Sequence, residues 1–195
     1  MPDRVKEFHC IMPLENIPAV LKHGILSNER AAQMPHDSVA MAAVQARRDC
    51  VQVPNGLWLH QYANLYFHAR NPMMYARRDH ARELCVLQIS KGILAEITGV
   101  IITDCNASSQ YVRFFAPAQL ADLNLDAIFA RDWNHLNPVE KFRHKSQKCA
   151  EVLVPHCVPP SLITGAYAVN QTAAQRLKNL GFALPITIEP DMFFA

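Results

Sequence analysis

The sequence predicts a mixed α+β domain on a largely antiparallel sheet, and three observations carry that expectation. Short β-rich segments recur along the chain, each closed by turn residues. Helical stretches interrupt some of these segments and not others, so the regular βαβ rhythm of a parallel sheet is missing. The glycine-rich phosphate loops of Rossmann and P-loop folds, GxGxxG after a strand and GxxxxGK[ST], are absent, as are HExxH and GxSxG.

Taken in order, KEFHCIM reads as the first strand, and Asn16 to Lys22 as a short helix ended by Gly24. Asp37 or Ser38 caps a second helix through SVAMAAVQARR, whose apolar positions repeat at helical spacing. GLWLHQYANLYFH reads as extended chain in two strand pieces. Asn71 followed by Pro72, a cap and then a first-turn proline, starts a helix over NPMMYARRDHAREL. CVLQIS, VIITDC, AEVLVP, LITGAYAV and PITIEP are strand segments, with helical pieces at APAQLADLN and at NQTAAQRLKNLG, the latter capped by Asn170 and stopped by Gly181. The 13 prolines are scattered along the chain, so they mark element ends rather than one hinge, and residues 1–195 read as a single domain.

Hydrophobic residues at 50% and charged residues at 18% suit a soluble globular protein. No apolar run approaches the ~20 residues that span a bilayer. The charged N-terminus MPDRVKEFHC does not read as a signal peptide, so a cytoplasmic protein with no membrane partner is expected. The six cysteines form no CxxC pair and the histidines no ligand spacing, so structural thiols and no metal are expected. A net charge of +2 is too small to argue for a polyanionic partner. Its arrangement says more: Arg47 and Arg48, then Arg70, Arg77, Arg78 and Arg82, then Lys141, Arg143, Lys145 and Lys148, which are either solvated helix faces or a phosphate-binding surface.

Three separated segments carry chemistry. FHCIMPLENIPAVLKHGIL places His9 and Cys10 on a strand and Asn16, Val20, Leu21, Gly24, Ile25 and Leu26 on the following helix and turn. GLWLHQYANLYFHARNPMMY contains Tyr66, Phe67, Met74 and Tyr75, with the Arg47–Arg48 pair shortly before it. HKSQKCAEVLVPHCVPP sets Glu151 at a strand entry, with Pro155 and Pro159 behind it. Taken singly each has an ordinary explanation: a packed strand His, a YF pair with one ring inward and one outward, a solvent-facing Glu.

In this order and spacing, from His9 to Pro160, they resemble the NAD-dependent ADP-ribosyltransferase superfamily and, within it, the DarT family of DNA ADP-ribosyltransferases. The resemblance implies the ADP-ribosyltransferase fold with a split sheet and peripheral helices, and NAD as co-substrate. Glu151 is then the catalytic carboxylate, stabilising the positive sugar formed as nicotinamide leaves and holding the ribose 2′-hydroxyl. Arg47 is implied in pyrophosphate contact and in the departure of the acceptor's proton, with Arg48 the alternative one position on. His9, Cys10, Asn16, Gly24, Leu26, Arg47, Arg48, Tyr66, Phe67 and Tyr75 are implied in NAD binding. His9 would act through ribose hydrogen bonds, and the aromatic rings by enclosing the cationic nicotinamide.

The stretch from Asn134 to Lys148 would form the substrate loop. There Met74, Arg143, His144, Lys145 and Lys148 are implied in holding single-stranded DNA, with Trp133 and Phe142 either stacking on bases or packing the loop. HARNPMMY leans towards guanine over thymine as the acceptor base, although His68 stands where Asn is expected. The family also implies a toxin paired with an antitoxin that removes ADP-ribose. The competing readings are an RNA 2′-phosphotransferase or protein-modifying transferase of the same superfamily, and a non-enzymatic single-strand binder. A phosphotransferase would carry a further arginine in place of the Glu151 motif.

Overall fold

The computed structural model describes residues 4–38 and 42–195. In it, β1 (Glu7–Pro13) leads into α1 (Ile17–His23), which carries a proline in its first turn and ends at Gly24. That glycine has φ +80°, and a Cβ there would stand 2.2 Å from the Val158 carbonyl oxygen, so no side chain fits. β2 (Ile25–Leu26) is followed by α2 (Asn28–Ala31), where the Ser27 hydroxyl accepts from the Arg30 N–H. This turn had no apolar period to announce it. α3 (Ala42–Arg48) occupies the end of the helix expected from Ser38; residues 39–41 of that expectation lie outside the described residues.

β3 (Tyr62–Tyr66) is preceded by a 3-10 turn at Leu59–Gln61 rather than a strand. α4 (Pro72–Ala76) is capped as expected by Asn71, whose side-chain oxygen accepts from the N–H groups of Met73 and Met74. It stops at Ala76, and a kinked 3-10 stretch over Arg78–Glu83 completes the segment read as one helix. β4 (Leu84–Ser90), α5 (Ile93–Glu96), β5 (Ile101–Thr103) and β6 (Phe114–Phe115) follow. APAQLADLN forms a 3-10 turn, Pro117–Asp122, before α6 (Leu125–Phe129).

The expected substrate loop is largely a helix, α7 (Pro138–Gln147), started by Asn137 and Pro138 in the same way that Asn71 and Pro72 start α4. β7 (Glu151–Pro155), β8 (Cys157–Val158), β9 (Ile163–Ala168), α8 (Gln171–Asn179, capped by Asn170) and β10 (Ile186–Ile188) complete the chain.

Among the described residues one sheet runs in the order β10-β9-β4-β1-β3-β7-β5-β6, while β2 and β8 pair separately. Neighbours are antiparallel except β9 and β10. The sheet is split at its centre: β1 pairs with β4 along its whole length but meets β3 only at His9 opposite Tyr66. Strand alternation then sorts the side chains. Phe8, Cys10, Leu87, Leu65, Phe67 and Val152 pack on one face; Ile11, Val86, Tyr66, Met74 and Phe193 pack on the other.

Candidate active site

The strand register builds the site. Gln88 stands opposite His9, His9 opposite Tyr66, and Tyr66 opposite Glu151, so four polar side chains from β4, β1, β3 and β7 share one row and one face. At its end Glu151 is fully buried, and its backbone N–H donates to Thr103 Oγ1 at 2.9 Å while that hydroxyl donates to the Cys105 carbonyl at 2.7 Å. The carboxylate is held from two sides. Arg48 Nη1 bridges both oxygens, at 3.1 and 2.9 Å, and the Ala107 N–H donates to Oε1 at 3.0 Å.

A cleft opens where β1 and β3 part. Of the residues implied in NAD binding, the structure brings Cys10, Asn16, Gly24, Leu26, Arg48 and Tyr66 to its wall, together with Met73 and Asn106. Arg48 is 6% exposed, and its Nη2 has no hydrogen-bond partner among the described residues. An unpaired guanidinium N–H in a half-apolar cleft suits an anionic oxygen. Apolar walls at Ile11, Val20, Ile25 and Met34 suit a planar base, and Tyr66, the one member of the polar row on the cleft wall, stands there with Asn64 and Asn106 as groups that suit ribose hydroxyls. The donor set therefore fits a dinucleotide. Burial above all, and then the negative Glu151, push the Tyr66 phenol well above its ordinary range, so it stays a neutral donor. Burial pushes the Cys10 thiol up to about 12, so it packs rather than reacts.

Several implied residues stand elsewhere, each for a physical reason. Arg47 is exposed, because adjacent residues of α3 point about 100° apart and only Arg48 turns inward. Phe67 faces the opposite side of the sheet from Tyr66 and is fully buried edge-on to Phe8 at 5.3 Å, so it does not enclose a ligand. Met74 is fully buried, and its neighbour Met73 lines the cleft instead. Tyr75 is not among the cleft-lining residues; it is half-exposed beside Trp133 and Phe194. Asn16 turns its amide to the backbone of Asp37, donating to its carbonyl at 2.7 Å and accepting its N–H at 3.0 Å, which fastens the cleft wall.

His9 has both ring nitrogens engaged. Nδ1 accepts the Ala69 N–H at 3.0 Å, so the proton resides on Nε2, which donates to Glu7 at 3.0 Å; neither nitrogen is left for a ribose. Tyr167 and Gln88 donate to the same carboxylate. Burial alone would raise Glu7, but the hydrogen bonds from His9, Tyr167 and Gln88 outweigh it and hold Glu7 at about 2.

On the expected DNA-binding stretch, Arg143 and Lys145 are exposed on α7. His144 is tied to the Ala127 carbonyl and to His135. Lys148 is fully buried, donating to the carbonyls of Ile128 and Ala130 at 2.9 and 2.6 Å and lying 3.3 Å from His68 Nδ1, so it braces the end of α6 and meets no phosphate. Burial, then the charge of Arg70, lower its ammonium to about 8, while burial and the neighbouring Lys148 lower His68 to about 3. Thr103, Asn106 and Ala107 went unnoticed in the sequence; the one signal was a Thr ending the apolar run VIIT just before the turn residues DCNASS. Among the described residues no group of three or more His, Cys, Asp or Glu could hold a metal.

A split antiparallel sheet, a buried carboxylate at the end of a cross-strand polar row and a cleft at the split are the arrangement that the resemblance to ADP-ribosyltransferases implies. A family model described as "ssDNA thymidine ADP-ribosyltransferase, DarT" matches residues 9–194, and the chain belongs to that DarT family. It is 29% identical over 187 residues to a DNA ADP-ribosyl transferase of Thermus sp. (strain 2.9), covering 90% of this chain and 87% of that protein. It is 28% identical over 203 residues to a DNA ADP-ribosyl transferase-DNA ADP-ribosyl glycohydrolase fusion protein of Thermosipho africanus, covering 98% of this chain but only half, 50%, of the fusion. The structure of Thermus sp. 2.9 DarT in complex with ADP-ribosylated ssDNA superposes with a TM-score of 0.82 at 26% identity, covering 97% of each chain.

Proposed function

We propose that the protein transfers ADP-ribose from NAD to a base of single-stranded DNA, with Glu151 and Arg48 as its catalytic pair. The observation that carries the reading is that pair: a fully buried carboxylate bridged by a guanidinium that lines the cleft and whose second amino group, itself buried, has no hydrogen-bond partner among the described residues. Similarity to a DarT solved with ADP-ribosylated ssDNA supports the acceptor.

In this reading the Arg48 Nη2 meets the pyrophosphate and draws the guanidinium partly off Glu151. The freed carboxylate faces the ribose. As the bond from C1′ to nicotinamide breaks, its electron pair leaves with nicotinamide, and Glu151 stabilises the positive sugar while holding the 2′-hydroxyl. A base nitrogen then bonds to C1′ from the opposite face and its proton passes to solvent. Arginine stays protonated at neutral pH, so Arg48 acts by charge and position rather than as a base.

A base whose edge is hidden by pairing cannot reach such a site without leaving the stack, so the acceptor is single-stranded. HARNPMMY supports guanine as that base; the description of the matching family names thymidine, which is the second reading. A glycohydrolase fused to the Thermosipho africanus relative supports a biological role as a toxin opposed by an enzyme that removes the mark. A fully buried Glu151 held by Arg48 and the Ala107 N–H speaks against a non-enzymatic binder.

The test is incubation with labelled NAD and, separately, single-stranded DNA, duplex DNA, RNA and protein. Label on single-stranded DNA alone is expected; label on RNA or protein instead overturns the reading. Nucleoside mass spectrometry of the product then decides between guanine and thymine without touching the rest.

A further inference from the structure

Outside the cleft lies a surface the mechanism leaves unused. Tyr75 from α4, Trp133 from the turn after α6 and Phe194 near the C-terminal end meet edge to face, with ring centroids 5.9, 5.2 and 6.1 Å apart. Tyr75 remains 46% exposed, while the residues beneath, Met74 and Phe193, are fully buried. Phe194 packs against that buried cluster, whereas Tyr75 and Trp133 are not part of it. Phe194 also adopts φ +62°, a left-handed conformation that costs a bulky residue about 1 kcal/mol or more, and it persists because the surroundings hold it there.

The charge around the rings is cationic. Arg70 lies over Phe194 at 4.1 Å and Arg78 over Tyr75 at 4.2 Å, whereas no guanidinium among the described residues stands over Trp133. Arg70 and Arg131 share the single carboxylate of Asp191, and the Arg131 side chain is mostly exposed. Flat rings interleaved with guanidiniums suit a polymer that alternates planar faces with phosphates. The platform is also close to the chemistry: Tyr75 is two residues along α4 from Met73 in the cleft wall, and Met74 and Phe193 pack in the same cluster as Tyr66.

We infer that Tyr75, Trp133 and Phe194 form a stacking platform for a nucleobase next to the target base, with Trp133 as the ring no guanidinium covers and the exposed Arg78 and Arg131 meeting the adjacent phosphates. This rests on the single-stranded DNA reading above. A stacked neighbour anchors the strand beside the cleft, so the target base enters from a held position.

The test uses oligonucleotides with one target base and an abasic nucleotide one or two positions to either side. For the wild-type protein one abasic position should raise the KM for DNA about tenfold, the size of one stacked base. Trp133→Ala should raise the KM of the intact oligonucleotide by a similar factor, leave kcat and the KM for NAD within about threefold, and lose its response to that abasic position; Trp133→Phe should restore most of the affinity. Wild-type indifference to every abasic position overturns the proposal, and because it needs no variant it stands even if Trp133→Ala folds poorly. A Trp133→Ala protein that still responds to the abasic site, or that loses NAD rather than DNA, overturns it too. Failure of the underlying reading looks different: no oligonucleotide of any kind is labelled by the wild-type protein.

Discussion

The two halves of the central sheet are built differently. On one side of the split, β1, β4 and β9 are joined by long backbone ladders, seven register pairs between β1 and β4 alone. On the other, β3, β7 and β5 carry the chemistry: Tyr66, Glu151 and Thr103. Between the halves stand the strand pair His9 opposite Tyr66, the bond from the Ala69 N–H to His9 and the contact of Arg70 with Asp191. A parted ladder leaves backbone polar groups that need partners, which makes the seam a natural place for a ligand. One half is thus a frame and the other a reactive wall, and substitutions should separate the two.

The largest effect is expected on the reactive wall. Glu151→Gln keeps the size of the side chain and an acceptor for the Ala107 N–H but removes the charge. Turnover should fall on the order of 10³-fold while NAD affinity stays within several-fold, because the lost interaction is with charge that develops only in the transition state. Single-turnover kinetics with calorimetric titration separate the two quantities, and near-normal turnover would remove Glu151 from the mechanism. Next in size is a contrast between neighbours: Arg48→Lys should lower kcat/KM roughly 100-fold, since an ammonium is a single point and cannot serve the carboxylate and a separate anionic group from two different nitrogens, while Arg47→Lys should stay within about threefold. Equal losses in both would mean that Arg47 swings inward when NAD binds.

That contrast also shows what the sequence could and could not say. Motif spacing located the helix with two arginines, the strand with Tyr66 and Phe67, and the turn with Met73 and Met74, but choosing the member of each pair requires knowing which face of the element meets the cleft. A shift of one residue reverses a strand face and turns a helix by about 100°. β1, α1, the cap of α4 and the strand of Glu151 were legible because their signals are local. The split of the sheet was expected only through family resemblance, and where it opens is set by pairing between residues distant in sequence. α7 is hidden for another reason: Asn137 and Pro138 give the same start signal as Asn71 and Pro72, yet Val139 and Phe142 of the helix are exposed and offer no buried stripe.

Lys148 tests the support behind the wall rather than its chemistry. Lys148→Met replaces a buried ammonium by a side chain of similar length and leaves the carbonyls of Ile128 and Ala130 without their donor. A loss of about 2 kcal/mol in urea unfolding is expected, with the KM for DNA little changed, since this lysine reaches no phosphate. The pH dependence has a definite sign. With its folded value near 8 and the ordinary lysine value at 10.5, the unfolded chain binds more protons between those limits. Wild-type stability should therefore rise relative to Lys148→Met as pH climbs from about 8 towards 10.5. A constant difference would mean that the ammonium is better solvated than its burial implies.

The smallest effect is expected at Glu7, on the frame's side of the seam. Its carboxylate accepts from His9, Tyr167 and Gln88, and its folded value near 2 lies below the ordinary 4.5. Stability from these bonds is therefore fully present above about 4.5 and is lost as pH falls towards 2. Because Glu7 is partly open to water, screening reduces the contribution to on the order of 1 kcal/mol. Between pH 5 and 2 the wild-type protein should lose about that much more stability than Glu7→Gln, which has no charge to lose. Activity at neutral pH separates the residue's two duties. The Gln carbonyl can still accept the Nε2 proton of His9, leaving Nδ1 for Ala69, so NAD affinity should change by less than about threefold. Glu7→Leu removes that acceptor and frees the imidazole to change its protonated nitrogen. If the seam depends on side chains as its single strand pair suggests, the KM for NAD should then rise while kcat holds. A fall in kcat with an unchanged KM would instead place His9 among the groups that act on the reacting sugar.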